Sequence, residues 1–432
     1  SSMIQEKRGM LKKWNFLLAT STYILVILGT FITRSGVISS VHSFTAENLG
    51  PMFFTFLAIL ILYTVFWFFK RKSYLDTPDK IDSFTSREGG FLYNNLILIL
   101  ICFTIMWGTL FPILSEAWDG NKIYVGASYF NQLNIPIGLV LLFLMGIGPL
   151  LSWNYTSKSV LISRFRTPMI LSFISGFIYF IYSGLFLYLF SSLVTFICEK
   201  FESLQIFIDK YFSYLLIINT DNNFSLYVFI AIMGVSFTLS SILGEFYKSY
   251  KKQKNSSNLL HSFGKMLLSN RHKNGGYIVH IGIVLLFIGF IGRAFEVEKE
   301  FSLSPGEQIY FSNYVFKLNS IKSEARDNHY AFLSEIDVVD SSTNQLLVNL
   351  KPEKRIYFYW NSDPEKRQPH SELDIYSTIQ KDIYSIFSGY DSQKNIGYFK
   401  IMINPLVNWV WIGGVLMVIG SLFAFWPSRR DN

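Results

Sequence analysis

Eight long apolar blocks constrain this chain more than any other feature. They fall near residues 14–33, 51–69, 91–114, 134–152, 169–198, 224–243, 277–295 and 406–426. A helix needs roughly 20 mostly apolar residues to cross about 30 Å of hydrocarbon. Only helices and closed barrels satisfy every backbone polar group at that depth. The fold class expected is therefore a polytopic α-helical membrane protein with about eight transmembrane helices. Gly and Pro inside several blocks fit this reading, because helices in lipid tolerate them better than helices in water. The block at 169–198 is long enough to tilt or to emerge past the headgroups.

The placement of charge sets the orientation. The net charge of +8 does not point to nucleic acid, because the basic residues sit in connections between apolar blocks. Lys7, Arg8, Lys12 and Lys13 precede the first block. Lys70, Arg71, Lys72, Lys80 and Arg87 follow the second, and Lys158, Arg164 and Arg166 follow the fourth. A basic stretch from Lys248 to Lys273 follows the sixth, and Arg429 and Arg430 close the chain. These alternate segments hold 21 of the 38 Lys and Arg residues, whereas the short loops opposite hold only Arg34, Lys122, Lys200 and Lys210. The positive-inside rule then puts both termini on the cytoplasmic side of a bacterial inner membrane, or on the matrix side of a mitochondrial one. Residues 249–274 read as a mobile inner loop.

Residues 296–405 differ in character. Strand-like alternation in Glu307–Phe311 and Tyr314–Leu318 is broken by turn signals at Ser304-Pro305-Gly306 and Asp363-Pro364. A small β-rich outer domain is expected between the last two spans, in the periplasm or intermembrane space. The rest divides into a membrane domain over 1–295 and a last helix with a basic inner tail over 406–432.

Among the candidates for chemistry, Cys102 and Cys198 form no CxxC pair, so a dithiol motif is excluded; both read as small buried hydrophobes. His261, His272, His329 and His370 lie in polar stretches and read as solvated. His280 lies inside the seventh apolar block, where ionisable residues are costly and usually functional. Two readings stand for it: a neutral imidazole bonded to a neighbouring backbone, or a metal or heme ligand. Gly275, Gly276 and Gly282 nearby would let a flat macrocycle or another helix come close. His42 leaves the first span on the outer side in a semi-apolar segment, and ligand or plain interfacial residue both stay open there. Arg34 would either pair with a carboxylate such as a heme propionate or anchor to lipid headgroups. His280 lies about one turn inside the inner end of its block, and His42 beyond the outer face. The two would therefore serve separate sites.

Several stretches carry a resemblance. Gln5–Met10, Gly29–Phe44 (with TRSG followed by SVHSF), Gly275–Gly282 (GGYIVHIG) and Asn404–Gly414 are similar to the CcmF family. That family supplies the large membrane subunit of the heme lyase in cytochrome c maturation. The resemblance implies covalent attachment of substrate heme to the CxxCH motif of apocytochrome c on the outer face. The heme would be delivered by a heme chaperone and positioned with other heme lyase subunits. It implies a resident heme b. It makes His42 the second outer histidine, ligating substrate heme as the catalytic residue, and His280 the second membrane histidine. The family's tryptophan-rich segment is not in this sequence, and its first membrane histidine is expected just upstream of Ser1. The chain is thus expected to match the C-terminal portion and to need the N-terminal CcmF part or subunit. Two rival classes remain, a non-catalytic assembly scaffold and a transporter, although no internal repeat of the transporter kind is seen.

Overall fold

The computed structural model describes residues 5, 9–35, 49–76, 83–183, 225–253, 259–358 and 369–426. Among them, eight helices are long and apolar enough to cross a membrane. The chain divides into two compact units: Ser1–Tyr182 with Met233–Lys248, and Ser183–Ile232 with Ser249–Asn432.

The first unit contains α1 (Lys12–Arg34), α2 (Leu49–Lys70), α3 (Arg87–Asp119), α4 (Ala127–Ile147), α5 (Lys158–Tyr182) and the middle of α6 (Leu226–Gln253). Because lipid offers no hydrophobic drive between helices, small and hydroxylated residues make the contacts. Gly108 admits the Tyr129 and Phe130 rings, and beside them Thr104 Oγ1 meets Asn134 Oδ1 at 2.7 Å. Thr238 donates to the Leu142 carbonyl at 2.7 Å, and Ser172 donates to that of Met233 at 2.9 Å.

The start of the fifth span departs most from the expected block at 169–198, since α5 runs Lys158–Tyr182; residues 184–198 lie outside the described residues. Its polar start looks like loop in sequence. Yet Arg164 donates to the Leu150 carbonyl at 3.0 Å and Arg87 to that of Pro149 at 3.3 Å. These two guanidiniums satisfy orphan carbonyls just beyond α4. Glu88, buried in the first turn of α3, accepts from the Asn154 amide at 3.1 Å.

The second unit holds α7 (Leu259–Ser269), α8 (Arg271–Gly292), ten strands and α9 (Asn408–Phe425). The basic stretch expected as a loop over 249–274 is thus largely helical. Asn274 explains part of this, because its buried amide donates to the carbonyls of Met266 and Leu267 at the end of α7.

Helices α8 and α9 meet along a seam with a seven-residue period. A Cβ on Gly275 would strike Ala424, one on Gly282 would strike Met417 and the Gly413 carbonyl, and one on Gly289 would strike Val410. Between the two helices lies an antiparallel β-sandwich. One sheet runs in the order β1 (Val297–Leu303), β10 (Ile396–Pro405), β9 (Lys381–Asp391), β8 (Asp374–Ser377). The other runs β2 (Gln308–Phe311), β3 (Tyr314–Ala325), β4 (His329–Asp340), β6 (Glu353–Tyr357), β7 (His370–Glu372), with β5 (Leu346–Leu350) paired to β4. Alternation places Phe316, Leu318, Ile336, Phe387, Phe399 and Ile401 in one buried core. Gly306, at φ +94°, makes the turn before β2 that its Ser-Pro-Gly sequence announces. Asn408, in the first turn of α9, donates to the Thr378 carbonyl at 2.6 Å and to buried Asp382 at 3.1 Å. The sandwich is therefore tied directly to the start of the last span.

Candidate functional site

His280 is the one sequence candidate that the fold places inside a span with an unspent polar atom. It stands nine residues after Arg271, where α8 begins. That is about 13 Å along the axis from the start of α8, whose first six residues precede the apolar block that begins at Tyr277. At about 100° per residue, His280 sits about 140° around the helix from the Gly275 seam. It therefore looks away from α9. Its Nδ1 is buried and finds no hydrogen-bond partner among the described residues. A buried polar atom left unpaired is costly. In a membrane span that cost is usually accepted for function.

The neighbouring glycines divide the labour expected of them. Gly275 and Gly282 serve the α9 contact, whereas a Cβ on Gly276 would meet nothing within 4 Å. Gly276 lies one turn before His280 on the same side of α8, so the helix surface beside the imidazole is flat and open. This arrangement fits an axial ligand beside a planar group. A histidine already committed to a neighbouring carbonyl through Nδ1 would not fit. No cluster of three or more His, Cys, Asp or Glu able to hold a metal occurs among the described residues.

The remaining candidates separate. His42 lies outside the described residues. Arg34 is exposed in the last turn of α1, in the first unit, whereas His280 and Gly276 belong to the second. Ser35 packs against Gly50 at the start of α2, so the two ends flanking residues 36–48 are adjacent. Two minor expectations are corrected. His329 is buried, not solvated; its Nδ1 lies 2.6 Å from Asn328 Oδ1 and its ring against Tyr357. Cys102 is an exposed free thiol, not a buried hydrophobe. Cys198 lies outside the described residues.

Sequence reasoning missed the Asn408–Asp382 tie, since nothing local in the chain announces a contact across 26 residues. It also passed over Trp14 and Asn95, whose indole and amide nitrogens are buried without partners among the described residues. A polar Asn inside the apolar block at 91–114 was the available signal.

Fold and site together define a polytopic membrane protein with an antiparallel β-sandwich between its last two described spans and, in the first of these two, a histidine with a buried Nδ1. Residues 294–405 match the family described as CcmF C-terminal beta-sandwich. The cytochrome c-type biogenesis protein CcmF of Haemophilus influenzae is 25% identical over 99% of this chain and 58% of its own length. That of Escherichia coli K12 is 23% identical over 99% of this chain and 57% of its own. The cytochrome c-type biogenesis protein CycK of Bradyrhizobium diazoefficiens is 35% identical over 154 residues, 36% of this chain and 23% of its own. A solved structure, "Cytochrome c Heme Lyase CcmF", superposes with a TM-score of 0.65 at 21% identity, covering 98% of this chain and 56% of that one. The chain is similar to CcmF proteins along nearly its whole length and carries their C-terminal β-sandwich over residues 294–405. It spans a little under three-fifths of the length of these full-length relatives.

Proposed function

We propose that this chain is a heme lyase component that attaches heme covalently to CxxCH apocytochromes c on the outer face of its membrane. The observation that carries the reading is His280: mid-span, turned from the helix seam, with an unpartnered Nδ1 and an open glycine surface beside it. In this reading His280 would hold a resident b-type heme, and the open helix surface at Gly276 would leave room for it. When bound, that heme supplies an electron store able to keep the substrate iron ferrous.

The chain's own residues bind and orient. His42 ligates the substrate heme at the outer surface, and Arg34 pairs with a propionate there. Each cysteine S–H of the apocytochrome then adds across a vinyl C=C, so a thioether forms and nothing leaves. Positioning is the principal contribution, because it turns an encounter of two large partners into a local reaction. The orientation is the one the basic loops favour, with termini inside and sandwich outside. The sandwich presents its surface to the heme chaperone, the apocytochrome or another lyase subunit, and the N-terminal part of the family completes the assembly.

The test is a reduced-minus-oxidised absorbance spectrum of the protein co-expressed with its lyase partners. A b-type signal is expected in the wild type and absent in His280→Ala. His42→Ala should keep that signal and lose cytochrome c maturation. If neither replacement affects maturation, the chain is a scaffold, and deletion of 296–405 becomes the informative variant.

A further inference from the structure

The two faces that the sandwich turns outward differ in chemistry. Alternation along the strands assigns them, since the core takes every second residue. On the sheet that contains β3, β4 and β5 the outward side chains are polar and satisfy one another. Asn349 donates to Asp337 at 2.7 Å and Ser320 to Glu335 at 3.3 Å, and Lys322 pairs with Glu335 at 3.8 Å. On the β1–β10–β9–β8 sheet the outward side chains are largely apolar. Ile375, Tyr384 and Met402 stand side by side on β8, β9 and β10, and Ile386 takes the next outward position after Tyr384. Leu373, Ile375 and Tyr398 are 46%, 41% and 45% exposed. Leaving such a face in water is costly, and a contiguous apolar patch marks a place of contact.

The apolar platform has the width of a helix. Neighbouring strands lie about 4.8 Å apart, so Ile375 to Met402 spans about 10 Å, the diameter of an α-helix. From Met402 to Tyr398 it runs about 14 Å along the strand. Beside it, on the edge strand, lies a line of carboxylates. Glu298 is opposite Met402 and Glu300 opposite Lys400, and Glu296 precedes β1 at the same phase. Successive carboxylates are about 6.8 Å apart, close to the rise of about 6 Å between residues i and i+4 of a helix. The one cation among them is already taken, because Lys400 bonds Glu298 at 2.8 Å. That hydrogen bond, with the charges of Glu298, Glu300 and Glu296, holds the Lys400 pKa above its ordinary value, so the three carboxylates share its side of the sheet.

Charge also indicates where the occupant comes from. Residues 296–405 hold 16 Asp or Glu against 12 Lys or Arg, although the whole chain is at +8. In the orientation that the basic loops favour, the other outer segments supply no excess of cations. Glu47 is the one charge in 35–48, Glu116 and Asp119 outnumber Lys122, and residues 199–223 hold four acids against Lys200 and Lys210. A second copy of the chain would set carboxylates against carboxylates. We infer that the outward face of the β1–β10–β9–β8 sheet docks an amphipathic helix of another protein, apolar along one side and flanked by Lys or Arg one turn apart. Its apolar side covers Ile375, Ile386, Met402 and Tyr398, and its cations lie along the carboxylate line. This names a docking face within the proposed function and rests on its placing of the sandwich outside. It uses none of His42, Arg34, Gly276 or His280.

Two fluorescent peptides of about five helical turns test this. They share a leucine face and differ only in carrying Lys or Glu on the polar one. Fluorescence anisotropy follows each against the full chain in phosphatidylcholine nanodiscs, with empty nanodiscs subtracted. The Lys peptide should bind about tenfold more tightly than the Glu peptide. Glu298→Gln/Glu300→Gln should remove most of that preference, and Ile386→Ser/Tyr398→Ser should weaken the Lys peptide about tenfold. The matched charge loss on the other sheet, Glu335→Gln/Asp337→Asn, should leave both peptides as they were. Equal binding of the two peptides to the wild type overturns the proposal, and that comparison needs no variant to fold. A preference that survives Glu298→Gln/Glu300→Gln, or that falls as far in the matched pair, overturns it too, because the attraction then lies elsewhere on the domain. The heme reading is decided separately, by the His280→Ala spectrum.

Discussion

The β-sandwich and the α8–α9 hairpin belong to one compact unit yet are held together in opposite ways. In the sandwich the largest side chains are inside: Phe316, Phe387 and Phe399 are almost wholly buried, and the last two stack with centroids 4.9 Å apart. In the hairpin the large side chains are outside. Trp411, Leu422 and Phe425 of α9 are exposed, and the seam is made of Gly275, Gly282, Gly289, Gly413 and Gly420. The difference follows from the solvent. Water drives apolar area inward. Lipid is as apolar as leucine, so the hairpin gains only from close packing, which small residues permit. The same Phe is therefore core in one region and lipid-facing surface in the other.

Truncating an aromatic residue should separate the two regions most sharply. Phe387→Ala removes a stacked, buried ring and should cost about 3–5 kcal/mol. Phe425→Ala on the lipid face should stay within about 0.5 kcal/mol. Urea titration of the full chain in detergent, with sandwich unfolding followed by proteolysis, compares the two. Equal losses would mean that the hairpin too is held by aromatic burial.

The next effect is smaller and runs in the opposite sense, by adding a methyl group. In Gly282→Ala the new Cβ would lie 2.7 Å from the Gly413 carbonyl oxygen and 2.6 Å from Met417 Cγ. Backbone must shift, at about 1–3 kcal/mol. Gly276→Ala meets open space and should leave stability unchanged or slightly raised through helix propensity. Thermal denaturation of both variants in one detergent decides the matter. A loss in Gly276→Ala equal to that in Gly282→Ala would remove the distinction between seam and open face, on which the His280 assignment depends.

The contrast also explains what the sequence could reveal. Spans are legible because about 20 apolar residues in a row have few other uses. The sandwich is legible where alternation is long, as at Tyr314–Leu318. What failed were polar helix ends. Arg164 and Arg166 look like loop residues, yet Arg164 caps carbonyls and lets α5 begin at Lys158. The Ser/Asn-rich stretch before α8 contains α7, held by a buried Asn274 side chain. His280 stood out because it is ionisable in an apolar block. That Gly275 and Gly276, adjacent in sequence, face different surroundings needed the position of α9. That Trp14 and Asn95 line one groove has no local signature.

Protonation sharpens the comparison at its weakest point, because only the sandwich carries an ionic cluster on its surface. Glu353 on β6 is a partner of Arg355 at 2.8 Å and of Arg326 at 3.3 Å, and Arg355 also reaches Glu372 at 3.2 Å. Partial burial alone would raise the Glu353 pKa. The Arg355 hydrogen bond and charge, with Arg326 behind them, outweigh it and hold the carboxyl below its ordinary range. A carboxylate whose folded pKa is depressed contributes stability that is fully present above its unfolded pKa. That contribution disappears as pH falls through the folded pKa. The sandwich should therefore weaken on acidification below the ordinary carboxylate range, by at most about 1.4 kcal/mol per pH unit from this one group. Glu353→Gln, which cannot titrate, should flatten that part of the curve, while the hairpin seam has no titrating partner to show the same slope. Urea midpoints measured from neutral pH down through the acid range, in wild type and Glu353→Gln, read the difference. If the variant keeps the full acid slope, the sensitivity lies with other carboxylates and the arginine pair contributes little to the stability of the fold.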